Sequence, residues 1–447
     1  MPDSSVHSWG LIPKVSHTHL FPLRDRRQAL PSVEGSMLPH GLGRSYGDSC
    51  LNEDGTLLLT RGLDHWIEFN PETGVLQCEA GVSLDEILEF ASPKGWFPPV
   101  TPGTRFVTVG GAIANDVHGK NHHRSGSFGR WVLDFELLRS DGSRRICSRT
   151  ENATWFRAGI GGLGLTGLIT RASLQLRPIV SPLIDVEQLR TRNLGEFFAL
   201  ADESDSTHEY TVAWVNCLAT GDAVGSGIFI RGNHSDTPSD LTWKPRPTLP
   251  VPVHAPGRVL NKASIKAFNF LYSHKLHGDY HSGREHFLPF FYPLDSVNNW
   301  NRLYGKRGFY QHQCVVPREG RAGPIHDILS RIGKSGQASF LAVLKVFGDQ
   351  PAEGLLSFPR PGVTLALDFP NRGQRTLDLM NELDEIVMSN GGALYPAKDA
   401  RMQGAHFKTF SPALDVFTPY IDPAFSSSFW RRMGEEVSLR LRSGQGG

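Results

Sequence analysis

Cysteine is scarce. Five residues, Cys50, Cys78, Cys147, Cys217 and Cys314, are spread through a chain of 447 with no CxxC pair. An odd, scattered set argues against a disulfide framework or zinc ribbon and predicts free thiols in a reducing compartment. No apolar run approaches the ~20 residues that a membrane span requires. Met1 to Gly10 has neither a basic n-region nor an apolar h-region, so no secretory leader is expected. An excess of charge is missing too: the formal net charge is +1, which gives no basic face and makes nucleic acid an unexpected partner. No internal repeat is visible. The expected location is the cytoplasm, with contact to a membrane, if any, from the side.

The composition, 39% hydrophobic and 20% charged over 447 residues, is that of a globular chain with a large core and two or three domains. Up to about residue 182, glycine turns separate short elements. Leu57 to Thr60 reads as a strand, and Trp66 to Phe69 and Val75 to Glu79 flank a hairpin turn, Asn70-Pro71-Glu72-Thr73-Gly74. Ser83 and Glu86 form a capping box ahead of Leu84, Ile87 and Leu88, and Lys94-Gly95 closes that helix. The pattern predicts an α+β fold. Past Pro182 the character changes: Asn193 to Asp202 reads as helix, and Thr211 to Cys217, Ile228 to Arg231, Phe340 to Phe347 and Val363 to Phe369 read as strands. Ser235 to Pro256 reads as a long mobile loop, followed by Lys262, Lys266 and Lys275 among aromatic residues, and a basic helix is expected around Trp430 to Arg442.

Three glycine segments stand out. In His40-Gly41-Leu42-Gly43-Arg44-Ser45-Tyr46-Gly47-Asp48, glycine lets several backbone N–H groups point one way, as a phosphate nest requires; a tight turn without ligand is equally compatible. Pro102-Gly103-Thr104 and Thr108-Val109-Gly110-Gly111 precede Asn115-Asp116-Val117-His118-Gly119 and suggest backbone laid along an extended dinucleotide, or close packing between elements. Gly159-Ile160-Gly161-Gly162-Leu163-Gly164 matches GxGxxG, but Leu168 to Leu176 alternates like a strand where a Rossmann loop should open a helix. His118, His122 and His123 lie in a glycine-containing loop rather than on one helix face, so no metal site is expected. Lys345 interrupts an otherwise apolar strand and so should have a partner, a task or an amine emerging at the strand end. Gln311 and Gln313 alternate along a strand and share one face, which suits a hydroxyl-rich ligand or solvent.

His40 to Asp48, Pro102 to Gly111, His118-Gly119-Lys120-Asn121-His122-His123 and Ser125 to Gly129 together resemble the vanillyl-alcohol-oxidase type of FAD-linked oxidoreductase, and within it the decaprenylphosphoryl-β-D-ribose 2-oxidase family. The likeness continues through Trp300-Asn301-Arg302, Gly308 to Gln313, Lys345 to Gly348, Leu356 to Pro359, Asp368-Phe369-Pro370 and Ala397-Lys398-Asp399. The resemblance implies an α+β fold: a two-part FAD-binding domain (1–182 and 393–447) with an inserted α+β substrate domain (183–392).

It implies a dinucleotide cradle of Pro39, His40, Gly41, Leu42, Gly43, Arg44, Ser45, Tyr46, Gly47, Asp48, Ser49, Thr108, Val109, Gly110 and Gly111. Gly103, Asn115, Asp116, Val117, His118, Ile169 and Tyr395 would line the flavin. Many relatives attach the flavin through a histidine where this chain has Arg44, which has no usable nucleophile, so the expected FAD is non-covalent. The resemblance implies Lys398 as the catalytic group with His118 and Gln313 beside it, and Lys345, Gln311, Phe291, Arg302, Thr364 and Tyr46 around the substrate.

The implied reaction is oxidation of the 2-hydroxyl of a polyprenylphosphoryl-β-D-ribose to a ketone, with an NAD-dependent short-chain reductase completing the epimerisation to arabinose. The implied setting is peripheral contact with the inner face of the membrane. Mycobacterial members carry asparagine and cysteine at the positions of Thr364 and Ala366, and a tyrosine at that of Phe291. Two other readings stay open at this point: a soluble aldonolactone or alditol oxidase, and a non-catalytic FAD- or glycan-binding protein.

Overall fold

The computed structural model describes residues 5–244, 248–256, 276, 278–318, 323–337, 339 and 341–434. Ser83 caps the helix Leu84–Ala91: its hydroxyl accepts from the Glu86 N–H at 3.3 Å, while Glu86 Oε2 accepts from the Ser83 N–H at 2.7 Å. The helix buries Leu84, Ile87, Leu88 and Ala91 on one face. The hairpin Trp66–Phe69 and Val75–Glu79 forms with the bounds its alternation predicts. Its turn is held by Asn70 Oδ1, which accepts from the N–H groups of Glu72 and Thr73 at 2.9 and 3.1 Å.

Three sheets organise the chain. A small parallel one places Thr56–Leu59 between His19–Pro22 and Met37–His40. A five-stranded antiparallel sheet runs Trp66–Phe69, Val75–Glu79, Leu168–Gln175, Val132–Leu138, Arg144–Ser148, over a core that includes Phe135, Phe156 and Ile169. An eight-stranded antiparallel sheet runs Tyr280–His286, Leu183–Thr191, Gly227–His234, Tyr210–Val215, Ala342–Phe347, Gly362–Pro370, Phe309–Val316, Ala393–Leu394. On one face of this sheet Leu344, Leu365 and Leu367 meet Phe197 of Leu194–Ser204, Ile328 of Gly323–Ser335 and Leu383 of Gln374–Ser389. Period-two alternation sends the intervening side chains to the opposite face.

After Leu394 the chain returns to its beginning. Met37 donates its N–H to the Ala424 carbonyl at 2.7 Å, Ser426 donates to Met37 at 3.0 Å, and Ser428 donates to Leu51 at 2.8 Å.

Several elements depart from expectation for local reasons. The strand expected at Leu57 to Thr60 is Thr56–Leu59, because Thr60 opens a 3-10 turn. The one expected to reach Cys217 ends at Val215, where the Asn216 side chain turns back to accept the Leu218 N–H at 3.2 Å. Within the loop expected at Ser235 to Pro256, Leu249–Pro250 pairs in parallel with Val297–Asn298. Gly159 ends the helix Ala153–Gly159 and a strand follows, so the GxGxxG match opens no helix. All five cysteines are free. Phe340 and the stretch carrying Lys262, Lys266 and Lys275 lie outside the described residues, and of the helix expected at Trp430 to Arg442 only 430–434 is described, as helix.

Candidate active site

Between the glycine segments and the open face of the large sheet lies a cavity of about 630 Å³, within the range of small-molecule and cofactor sites. One wall is backbone. Trp9 donates its N–H to Ser45 at 2.8 Å and Tyr46 donates to Ala397 at 2.9 Å, so the loop is pinned from both ends of the chain. Just ahead of those bonds the N–H groups of Leu42, Gly43, Arg44 and Ser45 donate to no protein acceptor among the described residues. Gly43 has φ +61°, a conformation that favours glycine. Gly47 lies flat against the Asp399 carbonyl, where any Cβ would overlap it. The Arg44 guanidinium stacks 4.4 Å from the Trp9 ring and donates to the Leu42 carbonyl at 2.5 Å.

The second glycine segment meets the first. Thr108 caps Val109–Ala114 by accepting the Gly111 N–H at 3.1 Å, and its side chain fills the space beside Gly41. The third segment lies against the second, with Gly161 donating to Ile113 at 2.9 Å and Leu163 to Ala114 at 2.8 Å. Leu163, Gly164, Thr166 and Gly167 thereby reach the cavity. They were not among the expected site residues, although the glycine spacing was the available signal.

The other wall is side chain. Along three neighbouring strands, Gln311 is opposite Asp368, Gln313 opposite Ala366, Val343 opposite Ala366 and Lys345 opposite Thr364, so one alternating set faces the cavity side. Gln313 Nε2 donates to His118 Nε2 at 2.9 Å and contacts the Thr364 hydroxyl at 3.4 Å. His118 Nε2 therefore carries the lone pair and the neutral ring's proton is on Nδ1, which is buried without a protein acceptor among the described residues. Burial first, then the charge of Lys345, holds this imidazole well below its ordinary pKa.

Lys398 Nζ sits 3.7 Å from the centre of the Tyr46 ring. Behind it Gln311 donates to Asp368 Oδ1 at 2.6 Å, while Asp368 Oδ2 is buried without a partner among the described residues. Burial pulls the Lys398 ammonium down from the usual lysine value while Asp368 pushes it back up; burial raises Asp368 and Gln311 holds it back. Burial also brings Lys345 down to about 8 and Lys120 down to about 7.

Of the expected site residues, Pro39, Gly41 to Tyr46, Ser49, Gly103, Thr108, Gly110, Gly111, Asn115, Val117, His118 and Ile169 line the cavity, together with Phe291, Gln311, Gln313, Lys345, Tyr395 and Lys398. Tyr395 Oη donates to the Asn115 carbonyl at 2.9 Å. Seven others stand behind that lining. His40 bonds the Cys50 carbonyl at 2.8 Å, and Asp116 accepts from Ser127 at 2.8 Å, Ser357 at 2.5 Å and the Gly129 N–H at 2.8 Å. Gly47 packs on Asp399, Val109 is core, and Thr364 lies beneath Gln313. Asp48 binds Arg432 through Nε at 2.9 Å and Nη2 at 2.8 Å, and the same guanidinium bonds Asp399 at 2.9 Å. Arg302 donates to the carbonyls of Val251 and Pro252 at 3.0 Å each.

The three histidines do not converge: His123 Nε2 meets the His208 carbonyl at 3.0 Å and His122 packs 4.4 Å from the Phe347 ring. Sequence reading also left out Trp9, Lys120, Trp214 and Asp295, which line the cavity from four separate segments.

Residues 33–148 match the FAD binding domain family. Decaprenylphosphoryl-beta-D-ribose oxidase of Mycolicibacterium smegmatis is 35% identical over 412 residues, covering 89% of each chain. Probable L-gulonolactone oxidase 4 of Arabidopsis thaliana is 30% identical over 165 residues, 35% of this chain and 28% of that one. Cytokinin dehydrogenase 8 of Oryza sativa subsp. indica is 29% identical over 158 residues, 33% of this chain and 30% of that one. The residues present fit a flavin dinucleotide: four adjacent unpartnered N–H groups suit a pyrophosphate, and the unpartnered His118 Nδ1 and Gln311 Oε1 belong to side chains that line the same cavity.

Proposed function

Because the chain belongs to the decaprenylphosphoryl-β-D-ribose oxidase family of FAD-dependent oxidoreductases, we propose that it oxidises the 2-hydroxyl of a polyprenylphosphoryl-β-D-ribose to a ketone, the first half of an epimerisation to the arabinose. The observation that carries this is the placement of a desolvated amine, Lys398, over the Tyr46 ring in the cavity that the unpartnered glycine-loop amides also line. FAD is held non-covalently by 39–49 and 108–111, since Arg44 offers no nucleophile and burial raises the Cys50 thiol to about 12. The cofactor part is 1–182 with 393–447 and the substrate part 183–392. That division is supported by the bonds of Ala424 and Ser426 to Met37, although Ala393–Leu394 is itself an edge strand of the large sheet.

Bound FAD supplies the hydride acceptor. The hydroxyl proton must leave as the carbon loses hydride, and the neutral Lys398 amine takes it. Burial keeps that amine available as a base, and the Tyr46 ring with Asp368 stabilises the ammonium that results. Gln313 and His118, fixed to each other, orient the sugar from the sheet side; Gln311 and Lys345 approach from the same face. Trp214, Phe291 and Leu294 line the cavity and exclude water.

Anaerobic mixing with polyprenylphosphoryl pentoses, followed by flavin absorbance, tests the reading: the ribose compound should bleach the flavin and free sugars or lactones should not. Oxidation of a free aldonolactone or alditol is the second reading, favoured by the similarity to probable L-gulonolactone oxidase 4; that similarity spans 35% of this chain. A keto product calls for an NAD-dependent short-chain reductase acting next. Peripheral contact with the inner face of the membrane is supported by exposed Leu249 and Val253 beside Pro250 at the cavity mouth. No helix among the described residues is long and apolar enough to cross a membrane. Liposome flotation should weaken when Leu249 and Val253 become serine; unchanged flotation would remove that contact.

A further inference from the structure

Two lysines in the cavity have no evident use in positioning a sugar hydroxyl. Lys120 belongs to the loop after His118, and its amine rests against the Phe290 carbonyl and 4.4 Å from the Phe290 ring centre. Lys345 reaches the Gly119 carbonyl at 3.5 Å and lies 5.9 Å from the Phe347 ring centre. Neither makes an ion pair among the described residues. Glu285 acts on Lys120 from a distance, and burial alone accounts for the lowered Lys345. Two like charges facing one desolvated space without a carboxylate are costly. A lysine needed only for packing could turn its amine to water; both of these line the cavity instead.

Their order along the cavity is set by the loop and the sheet. Lys345 is opposite Thr364, which contacts Gln313, which bonds His118. Lys120 directly follows Gly119, whose carbonyl lies 3.5 Å from the Lys345 amine, so the loop brings the two lysines to neighbouring parts of the cavity wall.

We propose that Lys120 and Lys345 form a subsite for a phosphate ester, the group that joins the sugar to its lipid. The proposal rests on the sugar-oxidase reading and adds to it Lys120 as a partner of Lys345. Lipid monophosphate and free phosphate share this chemistry, and the experiment separates them.

Binding of farnesyl phosphate, farnesol and inorganic phosphate to the FAD-loaded protein is measured by calorimetry and by perturbation of the flavin spectrum. None of these carries a sugar, so no turnover is involved. Farnesyl phosphate should bind on the order of tenfold or more tighter than farnesol, and inorganic phosphate far more weakly than farnesyl phosphate. Lys120→Gln and Lys345→Gln should each reduce the preference for the phosphate over the alcohol, and the double variant should erase it. Lys120→Arg should keep most of it, and Lys94→Gln, on an exposed helix end, should change nothing. Flavin content and melting temperature identify a variant that fails to fold, and in that event the other single glutamine variant decides.

An unaltered preference in the double variant would overturn the proposal, as would equal binding of farnesol or of inorganic phosphate. Failure of the oxidase reading looks different: the wild-type flavin would stay oxidised with polyprenylphosphoryl ribose even where the phosphate preference holds.

Discussion

The two walls of the cavity are built in opposite ways. The glycine-loop wall offers backbone: four N–H groups from consecutive residues, a φ of +61° at Gly43 and a carbonyl pressed on Gly47. The sheet wall offers side chains, one from every second position on strands far apart in sequence: Gln311, Gln313, Val343, Lys345 and Ala366. A backbone wall tolerates most side-chain changes and rejects an added Cβ. A side-chain wall keeps its shape through substitution and loses its chemistry one group at a time. Stability should therefore be concentrated in what clamps the first wall, and reactivity in single residues that meet the second.

The sharpest break of this contrast is at Lys398. Lys398→Ala should slow flavin reduction by about 10²- to 10⁴-fold while the protein purifies yellow with an unchanged melting temperature; full activity would remove the amine from the chemistry. The reverse profile is expected at the clamp. Arg432→Gln leaves the Asp48 and Asp399 carboxylates facing each other without their shared cation, which should cost about 3 kcal/mol and release flavin, measured by denaturant unfolding and retained FAD.

Asp368→Asn sharpens the electrostatics. The active Lys398 is the neutral amine, so the rate should rise with pH through its pKa, and Asp368 raises that pKa. Removing the negative charge should move the rising limb to lower pH by about one unit. An unmoved limb would mean that Asp368 is protonated in the working enzyme. The smallest effect belongs to Ser83→Ala, which removes one helix cap and should cost about 1 kcal/mol of stability, with flavin reduction by substrate unchanged.

What was legible in the sequence follows the same contrast. The hairpin at Asn70 to Gly74, the capping box at Ser83 and Glu86, and the glycine loop are local, because the residues that make each are within a few positions of one another. Strand alternation also announced Gln311 and Gln313 as partners on one face. The clamp was not legible: Arg432 and Asp48 are 384 positions apart, and the loop motif that contains Asp48 does not point to its partner. Nor was the placement of Arg302, which shares a run with Trp300 but points to the Val251 and Pro252 carbonyls while Trp300 lines the cavity. The third glycine segment was visible as a pattern and set aside as a Rossmann loop, and only its packing against Ile113 and Ala114 reveals where it goes.

The closure of the chain on itself has a kinetic corollary. Met37 bonds Ala424 and Ser426, and Asp48 waits for Arg432. A ribosome delivers the glycine loop hundreds of residues before its fasteners. The nascent chain should therefore hold flavin poorly until the last of these residues has cleared the exit tunnel, and stalled chains of graded length, scored for bound flavin, should acquire it in one late step.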